Sequence, residues 1–148
     1  MTNSPLGLLV GGVVPALLFG LFAIFTKASS QHFLASSPYL IVLGLSIALV
    51  GVASGPILGT GIGNLTSKGI GFGMLAGILW GLGMLLVSIA LNRLGTPISV
   101  LTPLYNMNTL VAVLLGLWIF SEWKEVQALP LILGAVLITA GGILVARA

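Results

Sequence analysis

The segment between Lys68 and Arg93 decides the fold class. It reads GIGFGMLAGILWGLGMLLVSIALN over residues 69–92 and contains no Lys, Arg, Asp or Glu. An α-helix rises about 1.5 Å per residue, so roughly 20 apolar residues cross the hydrocarbon core of a bilayer. Because a soluble helix would keep a polar face toward water, the length and apolarity of this segment predict a transmembrane helix.

The composition of the whole chain indicates the same class of protein. Of its 148 residues, 58% are hydrophobic and 5% are charged, and the mean hydropathy is +1.26. A soluble domain carries about 25% charged residues, so this chain lacks the side chains to cover a water-exposed surface. Its net charge of +3 comes from five scattered basic residues. They form no basic patch, and we expect no nucleic-acid partner.

Charged and turn-forming residues divide the chain into five apolar runs, each about as long as a membrane span. Such runs, without alternating polar residues, favour helices over the strands of an outer-membrane barrel. We therefore predict an all-α integral membrane protein: a single transmembrane domain over residues 1–148, multi-pass in the lipid bilayer of a cell inner membrane. Residues 28–32 are predicted to form the longest connection. The predicted spans are residues 6–26, 38–58, 69–92, 97–121 and 129–146.

Glycine and proline positions predict how the helices pack and bend. Two glycine series recur every four residues, from Gly51 to Gly63 and from Gly69 to Gly81. Residues four apart share a helix face, and small residues there let helices approach closely in lipid, so we expect close packing through both series. Pro15 predicts a kink in the first span. Pro56 and the glycines after it predict that the second span breaks or frays before Asn64.

The Lys and Arg residues are almost evenly divided between the two membrane faces. Lys68 and Lys124 fall on the face of the N-terminus, and the other face carries Lys27, Arg93 and Arg147. Since basic residues mark the cytoplasmic face, a three-to-two split specifies the orientation poorly. An odd number of spans also places the termini on opposite faces. These observations favour an antiparallel homodimer of oppositely inserted copies; a uniquely oriented monomer or parallel oligomer is the alternative.

The most informative polar segment lies near the centre of the fourth span. Its side chains follow the i, i+3, i+4, i+7 spacing of one helix face, and Pro103 removes a backbone hydrogen bond and can leave a carbonyl free. Amides, hydroxyls and a phenol need partners in hydrocarbon. This face therefore predicts a surface that binds a small-molecule solute; interhelical hydrogen bonding is the alternative. The candidate residues are Thr102, Tyr105, Asn106 and Thr109, with Asn108 beside the face.

Trp80 is a further candidate for solute binding. It lies well inside the third span, away from the membrane interface where tryptophan is usually found. Met84 and Ser88 continue its helix face at i+4 and i+8. Its ring can stack on a ring-shaped solute or pack against a glycine of a neighbouring helix, and the sequence leaves both interpretations open.

The available residue types argue against an enzyme. The chain has no Cys, its two carboxylates are Glu122 and Glu125 in the predicted loop after the fourth span, and its one histidine is His32 in the first loop. These side chains are too few and too scattered for a catalytic triad or a cluster of metal ligands. We expect neither catalysis nor a bound metal or cofactor.

Several short motifs in the second half of the chain resemble a known transporter family. Together they resemble the C-terminal part of the five-helix repeat of the drug/metabolite transporter superfamily, the EamA-like repeat. The most specific feature is Glu122 at the end of the fourth helix, followed by a glycine-rich fifth helix. The motifs are Trp80-Gly81, ALNRLG over residues 90–95, LTPL over 101–104, LGLWIFSE over 115–122 and GAVLITAGG over 134–142.

This resemblance implies half of a ten-helix inverted-repeat transporter fold, because typical members carry two inverted five-helix repeats. Two copies of this chain would supply the two halves. The related small multidrug resistance proteins have a membrane-embedded Glu in the first helix, and the predicted first span here has no carboxylate. We therefore expect a small-solute transporter that works as an antiparallel dimer by alternating access on a neutral or zwitterionic metabolite. An exporter of hydrophobic or cationic compounds and a non-transporting scaffold subunit are the alternatives.

Overall fold

The computed structural model describes residues 5–32, 35–60, 63, 65–124, 126–145 and 147. No strand occurs among these residues. Five helices are long and apolar enough to cross a membrane, which confirms the predicted all-helical, five-span class and supports a multi-pass membrane protein. They are Pro5–Gln31, Ser36–Leu58, Ser67–Asn92, Ile98–Ile119 and Ala128–Val145.

We label the helices in chain order, and the fourth span receives two labels because it is interrupted. The labels are α1 (Pro5–Gln31), α2 (Ser36–Leu58), α3 (Ser67–Asn92), α4 (Ile98–Tyr105), α5 (Asn108–Ile119) and α6 (Ala128–Val145).

The end of α1 lies later than predicted. The predicted span stopped at residue 26 and left residues 28–32 as a loop, whereas the helix continues to Gln31. A helix does not need to end where it leaves the hydrocarbon, since the Lys27 stem is long enough to bring its ammonium group to the interface. The Ser30 hydroxyl donates to the Lys27 carbonyl at 2.8 Å within this last turn. The predicted end of the fifth span, Ala146, lies outside the described residues.

The first span contains an irregular turn just before Pro15. Residues Leu9–Val13 form a π-helical turn, in which the Val14 N–H donates to the Leu9 carbonyl five residues earlier. Pro15 has no N–H with which to continue a regular hydrogen-bond series, and a π turn is a recognised source of helix bending. The structure thus places a π turn directly before Pro15, and the kink stays a prediction.

A glycine cap ends α2. Gly59 has φ +64°, a left-handed conformation, and its N–H donates to the Gly55 carbonyl, as does the Thr60 N–H at 2.9 Å. This arrangement is a common helix C-terminus. A Cβ atom at Gly55 would lie 2.8 Å from the Thr60 carbonyl oxygen. Both glycines therefore shape the helix end. Asn64, before which fraying was predicted, lies outside the described residues.

The glycine series of α3 does not pack as predicted inside the described chain. A Cβ atom at Gly73, Gly77 or Gly81 would meet no described heavy atom within 4 Å. At Gly69 it would lie 2.9 Å from the Thr66 hydroxyl, the group that caps the helix by accepting from the Gly69 N–H. The side chains that α3 buries are on other positions, so this glycine face is left uncovered within the described part of the central unit, residues 26–95.

Two compact units divide the described chain. The central unit is Thr26–Gly95, and the terminal unit combines the chain up to Phe25 with the chain from Thr96 onward. In the central unit α2 packs against α3. In the terminal unit α6 packs against both α4 and α5. Buried residues of the central unit are Thr26, Tyr39, Met84, Ser88 and Leu91, and those of the terminal unit are Ala23, Leu117, Ala135 and Gly142.

Candidate functional site

The fourth span is interrupted at its centre. Helix α4 ends at Tyr105, Asn106 and Met107 form a turn, and α5 begins at Asn108. We call residues 106–107 the break. Their ψ angles are −9° at Asn106 and −14° at Met107, compared with about −42° in a regular α-helix. The backbone at the break is therefore overwound rather than extended.

While the Asn106 N–H keeps a four-residue bond to the Thr102 carbonyl at 3.1 Å, three backbone hydrogen bonds at the break span three residues instead of four. This is the pattern of a 3₁₀-helix, which in the middle of a helix often marks a functional hinge. The bonds run from the N–H of Met107 to Leu104 at 3.0 Å, from Thr109 to Asn106 at 3.1 Å and from Leu110 to Met107 at 3.1 Å. A regular α-helix would pair the Met107 N–H with the Pro103 carbonyl. Because that N–H goes to Leu104, the Pro103 carbonyl loses its usual donor.

The local sequence explains why the helix is weak here. Pro103 carries no N–H and its ring crowds the preceding turn, so α4 loses a hydrogen bond close to the break. Asn and Thr side chains also compete with helical hydrogen bonds by bonding to nearby backbone groups. Thr109 does so, since its hydroxyl donates to the Asn106 carbonyl at 2.8 Å. The TPLYNMNT segment therefore favours an interruption rather than a continuous helix.

Helix α6, the fifth span, lies against one side of the break. Gly142 of α6 is buried there. A Cβ atom at Gly142 would lie 2.8 Å from the Pro103 carbonyl oxygen and 3.4 Å from both the Pro103 carbonyl carbon and the Met107 Cγ. Only a residue without a side chain permits this approach of one helix backbone to another. The sequence motif contains Gly142, but its spacing alone does not distinguish it from the neighbouring Gly141.

The break changes the predicted binding face. The prediction placed Thr102, Tyr105, Asn106 and Thr109 on one continuous helix, and this continuity is wrong because the overwound turn separates α4 from α5. Two local pairs form instead. The Tyr105 hydroxyl donates to the Thr102 hydroxyl at 3.3 Å, and Thr109 bonds to the Asn106 backbone. The candidate residues thus lie in and beside the break, and their common face stays a prediction.

Asn106 and Asn108 present the polar side chains of the break. Both residues are exposed, and no described residue forms a hydrogen bond with either side-chain amide. Each amide offers two donor hydrogens and an acceptor oxygen. At the centre of a membrane span such groups need water, a solute or another chain as a partner. Within the described part of the terminal unit, therefore, neither amide forms a hydrogen bond between helices.

Trp80 lies in the central unit, whereas the break lies in the terminal unit. Its side chain is 45% exposed, whereas Met84 and Ser88 on the same predicted face are 8% and 3% exposed. The face predicted from the i, i+4, i+8 spacing is thus used for packing at its C-terminal end. Trp80 stands at the more exposed end of that face.

A set of buried and partly buried hydroxyl contacts in the central unit was not predicted from the sequence. The Thr26 hydroxyl and the Tyr39 hydroxyl are 2.8 Å apart, which joins α1 to α2. The Ser88 hydroxyl donates to Ser36 at 2.9 Å and accepts from the Asn92 amide at 3.1 Å, which joins α2 to α3. Each residue lies near the end of an apolar run, where isolated polar residues are common. Nothing in their spacing indicates that they belong to one set of contacts.

Glu122 follows α5 where the chain reverses direction. Ser121 has φ +56°, in the left-handed region that residues with side chains rarely adopt. The Glu122 carboxylate lies beside Gly116, since a Cβ atom there would be 3.2 Å from its Oε2. Glu122 is exposed and opens the short 3₁₀-helix Glu122–Lys124, while Glu125 lies outside the described residues. In the part of the chain that the structure describes, no group of His, Asp or Glu side chains could hold a metal ion.

No protein-family model, curated protein or solved structure matches this chain in comparisons with known proteins. The resemblance to the EamA-like repeat therefore rests on the motifs quoted above.

Proposed function

We propose that this protein is a small-solute membrane transporter that binds its solute at the break in the fourth span. The observation that carries the proposal is the pair of exposed amides, Asn106 and Asn108, at the centre of an interrupted span. Interrupted helices near the bilayer midplane recur in transporter sites, because their ends supply backbone donors and acceptors to the solute. Irregular backbone at that depth is tolerated only where it is buried in protein or lines a wet cavity.

The groups at the break fit a solute without net charge. Helix α4 ends there with carbonyl oxygens and α5 begins there with N–H groups, so partial charges of opposite sign meet at the break. The side chains add amides and hydroxyls, and residues 98–119 contain no Lys, Arg, Asp or Glu. A neutral or zwitterionic metabolite, such as a sugar, an amino acid or a nucleobase, offers matching donors and acceptors. A solute with net charge would find no counter-charge in this span.

The proposed working form is an antiparallel homodimer with the ten-helix inverted-repeat architecture that the EamA-like motifs imply. Three features support it: the three-to-two division of basic residues, the odd number of spans and the uncovered glycine face of α3. Small residues on such a face permit close helix association in lipid. Alternating access would then follow from rocking of one copy against the other around a fixed midplane site.

A thermal-shift screen tests the proposed site. The purified protein in lipid nanodiscs is heated with separate panels of sugars, amino acids and nucleobases, and a bound solute raises the melting temperature by mass action. We expect a shift with at least one neutral or zwitterionic compound. Asn106→Ala and Asn108→Ala should each abolish the shift and leave the unliganded melting temperature close to that of the parent, because their amides have no described partner.

Asn92→Ala is the matched control, since its amide is bonded within the chain to Ser88. It should lower the unliganded melting temperature and preserve the solute shift. Tyr105→Phe should be milder than either Asn variant at the break, because it keeps the ring and removes one hydroxyl. Lower melting temperatures with an unchanged solute shift in both Asn106→Ala and Asn108→Ala would show that these amides hold helices together. A shift with hydrophobic cations alone would instead favour the exporter.

A further inference from the structure

We infer that Gly142 is a positioning residue that keeps the break in the fourth span open. The inference rests on the proposed function only in taking the break as the solute site. Gly142 lies on α6, separated in sequence from the candidate binding residues, and it contacts the backbone of the break rather than a polar side chain. It would act on the solute through the shape of α4 and α5.

The contact involves the carbonyl whose usual hydrogen bond is missing. The Pro103 oxygen has lost the Met107 N–H to the 3₁₀ turn and lies where a Cβ atom at Gly142 would be 2.8 Å away. A glycine Cα–H facing a carbonyl oxygen is a weak but favourable contact. The glycine therefore leaves room for this oxygen on the α6 side of α4.

A single methyl group would remove that room. Ordinary van der Waals contact begins at 3.4 Å, so alanine at position 142 would have to displace the Pro103 oxygen by about 0.6 Å if contact lengths are to be restored. Because α6 also packs against α5, we expect the oxygen rather than α6 to move, which takes it away from α6 and toward the axis of α4. There the oxygen approaches the position that accepts the Met107 N–H in a regular α-helix. Gly142→Ala thus favours repair of the interrupted helix.

The other nearby glycines of α6 provide a contrast. A Cβ atom at Gly134 or Gly141 would meet no described heavy atom within 4 Å. Gly141→Ala makes the same chemical change on the same helix, one residue from Gly142, without contact with α4. The two substitutions differ in whether the added methyl group meets the Pro103 carbonyl, so they separate this contact from general effects of alanine in α6.

The experiment uses a single thiol at the break. The parent chain contains no cysteine, so Asn106→Cys supplies the one reactive group, and the full-length protein is studied in nanodiscs. The probe is a methanethiosulfonate carrying a quaternary ammonium group, which reacts with a thiolate that water can reach. The modification rate is measured for Asn106→Cys alone, with Gly142→Ala and with Gly141→Ala. Hydrogen exchange of residues 104–110 is measured in the same three proteins and in the parent.

We expect Gly142→Ala to slow both the thiol modification and the hydrogen exchange of residues 104–110 at least fivefold. Gly141→Ala should change each by less than twofold. General loss of packing would accelerate both processes, so slowing confined to Gly142→Ala is not explained by destabilisation. Equal rates in the Gly142 and Gly141 variants, or faster rates with Gly142→Ala, would overturn the inference and leave the proposed site intact.

Two further outcomes are informative. No reaction of Asn106→Cys in the parent background would contradict a wet solute site, and hydrogen exchange would still test the role of Gly142. If Gly142→Ala fails to fold while Gly141→Ala folds, the hydrogen-exchange rates of Met107 and Asn108 in the parent test whether there is an open break for Gly142 to maintain. Exchange at Met107 and Asn108 as slow as in the middle of α5 would refute an open break, whereas exchange at least fivefold faster would support it.

Discussion

The Thr26–Tyr39 contact gives a quantitative prediction about what holds the central unit together. The two hydroxyl oxygens are 2.8 Å apart, and the residues are 4% and 8% exposed. Thr26→Val keeps the shape of the side chain and removes its hydroxyl, and Tyr39→Phe does the same for the ring. Each single substitution leaves the other hydroxyl buried without this partner, whereas the double substitution removes both groups.

The size of the effect follows from burial and from the membrane reference state. A buried polar group that loses its partner costs about 1–3 kcal/mol in soluble proteins. Coupling energies between helices in a membrane average about 0.6 kcal/mol and reach about 1.7 kcal/mol, because separated helices find other partners. A threonine hydroxyl, for example, can bond to a carbonyl of its own helix. The short distance and nearly complete burial favour the upper part of this range, so we expect a coupling energy of about 1–1.7 kcal/mol.

The assay is reversible unfolding in mixed micelles with increasing dodecyl sulfate, followed by tryptophan fluorescence. The four proteins of the double-mutant cycle are compared, and the coupling energy is the amount by which the two single effects together exceed the effect of the double substitution. Thr139→Val is the matched control. Its hydroxyl bonds to the Ala135 carbonyl of the same helix at 3.0 Å, so its loss should cost less than about 0.5 kcal/mol. Single effects that add up to the double effect would refute an energetic link between Thr26 and Tyr39.

Two other predictions concern the end of α2 and the membrane orientation. Gly59→Ala should lower the free energy of unfolding by about 1 kcal/mol, because φ +64° is unfavourable for alanine. Gly51→Ala inside α2 should not lower it, because the added Cβ meets no described atom within 4 Å. Equal effects of the two substitutions in the same unfolding assay would contradict the capping role. Two lysines added before the first span should place the N-terminus in the cytoplasm, since basic residues mark that face. Reporter fusions at the C-terminus should report both orientations for the parent and one for the variant. A single orientation in the parent would contradict dual topology.

The spans could be predicted from the sequence because length and charge determine them directly. A run such as residues 69–92 has nowhere to place its apolar side chains except lipid, and its charged neighbours mark where it leaves the membrane. The end of α1 was less predictable. Whether a helix stops at the membrane surface or continues beyond it depends on local hydrogen bonds, such as that from Ser30 to Lys27, which hydropathy does not report.

The candidate site was predicted in part. The polar composition of residues 102–109 identified the segment, and Pro103 indicated a lost hydrogen bond, but helical spacing assumed a continuous helix. The break depends on several N–H groups shifting together to nearer carbonyls. It also depends on Gly142, whose role lies in its contact with the Pro103 carbonyl. Periodicity treats all α6 glycines alike, so the one that meets another backbone can be recognised only in three dimensions.

The two units treat their polar side chains differently, and this difference is the strongest argument that the break has a function. In the central unit Thr26 pairs with Tyr39 and Ser88 pairs with Ser36 between helices, and the Asn92 amide donates to Ser88 within α3. At the break Asn106 and Asn108 sit at mid-span without a described partner. Lipid cannot supply hydrogen bonds, so these amides need a partner from outside the described chain. Water with a solute, or a second copy, can supply it. The thiol at position 106 separates these partners, since a site closed by a second copy would not react with a charged reagent.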